Sequence, residues 1–107
     1  MSSGMGNQLV ANIFKVLSSP VRVHILRLLK DKPLCVCKII EELGTEQSNT
    51  SQHLNVLKNA GLVDSRKEGL KVIYSIKYHE IFDTIDTIEK IILMQTEETQ
   101  KLFKNAI

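Results

Sequence analysis

No apolar run in this 107-residue sequence approaches the roughly 20 residues that a membrane span requires, so no membrane partner is expected. Its opening, Met1-Ser2-Ser3-Gly4-Met5-Gly6, carries neither the basic nor the apolar region of a secretory signal. A cytoplasmic location is expected, with Met5 a candidate natural start and residues 1–7 a flexible N-terminus ahead of one domain over residues 8–107. Gly-rich phosphate loops, a C-x-x-C pair within a βαβ pattern and a nucleophile–base constellation are all missing, which argues against an enzyme. No repeat, low-complexity tract or long linker divides the chain. Its length and its apolar share of 43% suit one modest core.

Charge is scarce in sum and uneven in place. The formal net charge is only +2. Residues 47–79 hold five basic groups (Lys58, Arg66, Lys67, Lys71, Lys77) against two acidic ones, whereas residues 80–107 hold three against six. A basic middle and an acidic end fit a middle that faces phosphates, although a solvated surface gives the same pattern.

The apolar spacing predicts a helix over residues 8–18, with Leu9, Ile13, Val16 and Leu17 on one side. Ser19-Pro20 starts a second helix as cap and first-turn residue, running to about residue 30 with Val21, Ile25, Leu28 and Leu29 inward and Arg22, Arg27 and Lys30 outward. Asp31-Lys32-Pro33 ends it. A third helix over about 35–43 turns Ile39, Ile40 and Leu43 inward. A fourth, over about 47–59, buries Thr50, Leu54, Leu57 and Ala60 and stops at Gly61. Residues 62–65 and 72–77 read as the two strands of a hairpin, a wing over about 62–77, with the charged, glycine-bearing link 66–71 between them. A last helix spans about 81–103. Its stripe of Ile81, Ile85, Ile88 and Ile92 is wide for so small a body, so part covers the core and the remainder invites a second chain. The expected fold is mainly α with a small β-hairpin: a winged helix-turn-helix with an added terminal helix.

The fourth helix carries the chemistry. Its outward positions are Gln47, Ser48, Asn49, Ser51, Gln52, His53, Asn55 and Lys58. A helix used only for packing more usually shows Glu, Lys and Ala there. Asn and Gln pair bidentately with adenine, while Ser and Lys hold phosphates. Two short helices joined by a tight turn match the unit whose second helix enters the major groove. Arg66, Lys67 and Lys71 give the wing a means to reach phosphates or a minor groove. Taken singly, His53 packing under its helix is as good a reading as a DNA contact, Ser48 suits a helix start and Lys58 a solvated charge. The run is more specific than its members.

Gln47-Ser48-Asn49-Thr50-Ser51-Gln52-His53-Leu54 through Val63 resembles the recognition helix and following strand of the ArsR/SmtB family. Ser18-Ser19-Pro20-Val21-Arg22 with Ile25-Leu26-Arg27-Leu28-Leu29 resembles that family's second helix, and Arg66-Lys67-Glu68-Gly69 through Tyr74 its wing. The match runs from about residue 16 to 76. It implies a homodimer built on the first and last helices, with Leu9, Ile13, Ile81, Ile85, Ile88 and Ile92 as the interface. It also implies an inverted-repeat DNA operator and repression relieved by an effector. Thr50 departs from the pattern, standing where the family often has an apolar residue.

Leu34-Cys35-Val36-Cys37 resembles the metal box of the arsenic- and cadmium-responsive members, which carries Cys35 and Cys37 over as ligands. The third thiol of some members falls at Ile40, and the chain has no other cysteine. Inside a regular helix these side chains diverge by about 200° and cannot share one ion. At a helix start, with Cys35 as cap and Cys37 in the first turn, a local distortion brings the sulfurs together, and the helix N-terminus favours thiolates. No cofactor is required. The expected effector is a thiophilic metal or metalloid of the arsenic, antimony, cadmium, lead or mercury type, two sulfurs sufficing for linear mercury or a monoalkyl arsenical. Ligation would strain the third helix and break the match to a groove spacing of about 34 Å. The alternatives are thiol redox sensing by the same cysteines and an effector-blind regulator. The last helix contains no histidine, so a zinc site there is not expected.

Overall fold

The computed structural model describes residues 3–106, whose elements run α1 (Ser3–Val16), α2 (Pro20–Leu29), β1 (Leu34–Cys35), α3 (Val36–Leu43), α4 (Gln47–Asn59), β2 (Val63–Glu68), β3 (Lys71–Ile76) and α5 (Ile81–Ala106). Ser19 caps α2 as expected: its backbone is extended and its hydroxyl accepts from the Arg22 N–H at 3.3 Å. The fold is mainly helical with a small antiparallel sheet, and no single helix is long and apolar enough to cross a membrane.

Several boundaries differ from expectation. The first helix begins at Ser3, where the spacing predicted a start at residue 8; Met1 and Ser2 lie outside the described residues. The sheet has three strands in the order β1-β3-β2, where a hairpin was expected. Leu34 and Cys35, held extended behind Pro33, pair with Tyr74 and Ile73, so α3 starts one residue later than the spacing predicted. The hairpin is also longer than predicted. Pairing continues to Glu68↔Lys71, leaving a two-residue turn of Gly69 and Leu70. Gly69 takes φ +62°, the conformation that a turn with glycine first requires.

The core gathers the buried faces of α2 (Ile25, Leu26, Leu29), α3 (Ile39) and α4 (Leu54, Leu57), closed by Val63, Tyr74 and the first turns of α5. Leu26, expected on neither face, is fully buried, while Leu28 is only half-buried. Thr50 is also fully buried, and its Oγ1 lies 2.7 Å from Thr45 Oγ1. That bond answers the departure from an apolar residue: the hydroxyl enters the core with a partner, so burying it costs little.

Ile81 and Ile85, expected at a dimer interface, are each 7% exposed and belong to this chain's own core. Ile13 is half-buried against the same core. The stripe of α5 divides along its length because the helix outruns the body beneath it. Past Ile85 the side chains of Ile88, Ile91, Ile92, Leu93 and Met94 are exposed. On α1 so are Met5, Leu9, Val10 and Phe14.

Candidate nucleic-acid interface and cysteine site

Three features aim α4. Gly44 ends α3 in the left-handed conformation at φ +66°, with its N–H on the Ile40 carbonyl, which allows the sharp change of direction before α4. The Thr45–Thr50 bond ties the turn to the helix it precedes. Leu54 and Leu57 then fasten the inner face to the core. What remains outside is the polar row read from sequence. Gln47, Ser48, Asn49, Gln52, Asn55 and Lys58 are exposed, while Ser51 and His53 are half-buried. No acidic residue interrupts α4 from its first residue to its last.

His53 has a specific reason for its position. Its Nδ1 lies 3.2 Å from Nη1 of Arg22. The same guanidinium donates through Nε to the Val16 carbonyl at 2.6 Å and through Nη2 to the Lys15 carbonyl at 3.5 Å. Arg22, expected to look outward, therefore turns back and joins the end of α1 to the middle of α4. Because guanidinium only donates, Nδ1 of His53 is the acceptor and Nε2 carries the proton. Sequence reasoning missed Arg22. The one available signal was an arginine two residues beyond a helix-starting proline, too slight to separate it from a solvated charge.

The wing is basic at its far end. Arg66, Lys67 and Lys71 are all exposed, with Arg66 held 3.0 Å from Glu68 in a surface ion pair. Leu70, at the turn, is fully exposed and was not singled out in the sequence.

Cys35 is the N-cap residue of α3, and its Sγ accepts from the Lys38 N–H at 3.1 Å. Cys37 lies in the first turn, 5.2 Å away between Cα atoms, and the two sulfurs are joined as a disulfide. The expected convergence of the pair at a helix start is thus present. Nearby Lys38 is engaged elsewhere: the Glu42 carboxylate at 3.2 Å, then Glu41 at 3.6 Å, raise its ammonium pKa above the usual 10.5. Among the described residues no group of three His, Cys, Asp or Glu side chains is placed to hold a metal ion. Reduced to thiols, the pair would offer two donors, which does not make a closed three- or four-donor protein site. The cysteines and α4 meet across a cleft of about 530 Å³, which Gln47, Ser51 and Asn55 line from one side and the wing's Lys71 from another.

A helix-turn-helix whose second helix presents a polar, acid-free outer row, beside a basic β-hairpin, defines a winged-helix DNA-binding transcriptional regulator. Residues 19–65 match the model of the bacterial regulatory protein arsR family. An uncharacterized HTH-type transcriptional regulator, MJ1325 of Methanocaldococcus jannaschii, is 43% identical over 82 residues, covering 76% of this chain and 92% of that protein. The arsenical resistance operon repressor of Staphylococcus xylosus is 39% identical over 77 residues, covering 72% of this chain and 73% of that one. Among solved structures, the homodimeric winged helix-turn-helix DNA-binding domain Mb0332 from Mycobacterium bovis superposes with a TM-score of 0.75 at 26% identity, covering 85% and 84% of the two chains. The chain belongs to the ArsR family of transcriptional regulators, a class without enzymatic activity.

Proposed function

We propose that this protein is a cytoplasmic, homodimeric repressor that reads an inverted-repeat operator with α4 and the wing, and that leaves DNA when a thiophilic metal or metalloid binds Cys35 and Cys37. The observation that carries the reading is the shared cleft. The sulfurs and the polar residues Gln47, Ser51 and Asn55 line one space, so a change at the first acts directly on the second. Gln47, Ser48, Asn49, Ser51, Gln52, His53 and Asn55 take the base-reading and nearby phosphate roles, and Lys58, Arg66, Lys67 and Lys71 take phosphates. Dimer formation is supported by the exposed apolar side chains of α1 and α5, which a lone chain would leave in water, and by the homodimeric state of Mb0332. A thiophilic effector is supported by the two convergent sulfurs at a helix N-terminus and by the kinship with an arsenical resistance repressor.

The disulfide favours a second reading, in which the same pair senses oxidant: two thiols and one peroxide give the disulfide and two waters. One experiment separates these. Operator binding by the wild type and by Cys35→Ser/Cys37→Ser is measured with arsenite, cadmium, mercury and peroxide. Metal-induced release confined to the reduced wild type supports the first reading. Release by peroxide alone, reversed by a thiol, replaces it with the second. Binding indifferent to every addition leaves an effector-blind regulator.

A further inference from the structure

Leu70 is exposed more completely than any other large apolar side chain among the described residues. The other exposed ones lie on α1 and α5, Val56 and Tyr78 excepted, so no apolar patch accounts for it. The fold does not ask for leucine here. It follows Gly69 in a two-residue turn whose backbone needs the glycine, and asparagine, aspartate or serine commonly takes the second place.

Cations stand on both sides of the tip. The pairings Glu68↔Lys71 and Arg66↔Ile73 put Arg66 and Lys71 on one face of the hairpin, and Lys67↔Val72 puts Lys67 on the other. All three are exposed. The carboxylate at the tip, Glu68, lies 3.0 Å from the Arg66 guanidinium, which offsets its charge. A hairpin with cations on both faces and hydrocarbon at its end suits a slot with phosphates on both walls and bases at its floor. The minor groove, about 6 Å wide, is such a slot. Leu70 and Lys71 also line the space that Gln47, Ser51 and Asn55 line from α4, so the tip is continuous with the helix proposed to read bases.

We propose that Leu70 is an apolar wedge: with α4 in the major groove, it enters the neighbouring minor groove and parts one base step, bending the operator. The proposal rests on the DNA-binding reading above and deepens it, adding a contact that carries sequence preference without a hydrogen bond. The leucine side chain leaves water as it unstacks the bases, and pyrimidine–purine steps open most readily. Arg66, Lys67 and Lys71 hold phosphates on either side of it.

The test uses duplexes selected from a random pool by the wild type, with a donor and an acceptor dye at the two ends. Bound wild type is expected to bring the ends together. The selected sites are expected to share a pyrimidine–purine step at a fixed distance from the α4 contacts. Leu70→Asn suits the turn, so its thermal midpoint is expected to match that of the wild type. Its affinity for the selected duplex is expected to fall about tenfold, with the bend lost. The salt slope of log K is expected to stay unchanged, since no phosphate contact has gone. Leu70→Met, which keeps the hydrocarbon, is expected to recover most of the affinity and the bend. Leu70→Ala replaces Leu70→Asn should the latter not fold. Wild-type affinity and bend in Leu70→Asn overturn the proposal and leave the DNA-binding reading standing, as does a loss matched by a shallower salt slope. A wild type that enriches no sequence overturns that reading itself.

Discussion

The guanidinium of Arg22, at the start of α2, holds the imidazole of His53, in the middle of α4, at 3.2 Å while its other nitrogens hold the last carbonyls of α1. Three helices meet at one side chain. Any motion of α1 relative to α4 must therefore stretch bonds that a planar fork makes in fixed directions.

Arg22→Ala is expected to lower operator affinity about tenfold, the scale of a lost charge-assisted hydrogen bond, and to lower the thermal midpoint by several degrees. Arg22→Lys is expected not to restore either, since an ammonium cannot span His53 and two carbonyls at once. Fluorescence anisotropy on a labelled operator, paired with calorimetry, measures both. Wild-type affinity in Arg22→Ala would mean that the contact is ornamental to DNA binding.

Much of the interface was legible because α4 pairs a short apolar row with a long polar one: Thr50, Leu54 and Leu57 against Gln47, Asn49, Gln52 and Asn55. Its predicted and observed ends coincide. β1 was not legible. Two residues carry no period, and the partners Ile73 and Tyr74 lie nearly forty positions away. The outer half of the hairpin escaped notice for a related reason. Residues 66–68 are charged and exposed throughout, so they show no alternation, and backbone pairing alone keeps them in the strand. Arg22 looked solvated because helical position gives the direction of Cβ but not the path of a long side chain that bends back.

Base-reading and phosphate-holding side chains leave different signatures. Asn55→Ala is expected to cost about 1–3 kcal/mol on the cognate site and to relax preference at one base position. Lys67→Ala is expected to weaken cognate and random DNA alike and to reduce the salt slope of log K by about one. Titrations at several salt concentrations on both DNAs distinguish the two. A Lys67→Ala protein with an unaltered slope would remove the wing from the interface.

Thr50 provides a test within the core. Thr50→Val keeps the shape but strands the Thr45 hydroxyl, for an expected loss of about 1 kcal/mol. Adding Thr45→Ala removes the stranded group, so the double variant is expected to be no less stable than Thr50→Val alone. Urea unfolding of the three proteins gives the coupling directly. Additive losses would show that the 2.7 Å contact contributes nothing to stability.

The two ends of α5 make opposite predictions for chemically identical residues. Ile85, 7% exposed, lies in the core, so Ile85→Ala is expected to cost about 2–5 kcal/mol of folding stability. Ile92, 52% exposed, faces solvent in the single chain. Ile92→Glu is therefore expected to leave the fold of each protomer intact, its charge facing water rather than being buried. If a second copy covers this face, the same substitution buries an unpaired carboxylate in the interface and drives the protein to monomers. Operator affinity then falls, because two linked recognition helices bind far more tightly than one. Sedimentation velocity at several concentrations, beside anisotropy on a palindromic and a half-site DNA, reads all of this together. Ile92→Glu sedimenting as a dimer with full affinity would move the interface off this face of α5 and leave α1, with Leu9 and Phe14 exposed, as the surface to test next.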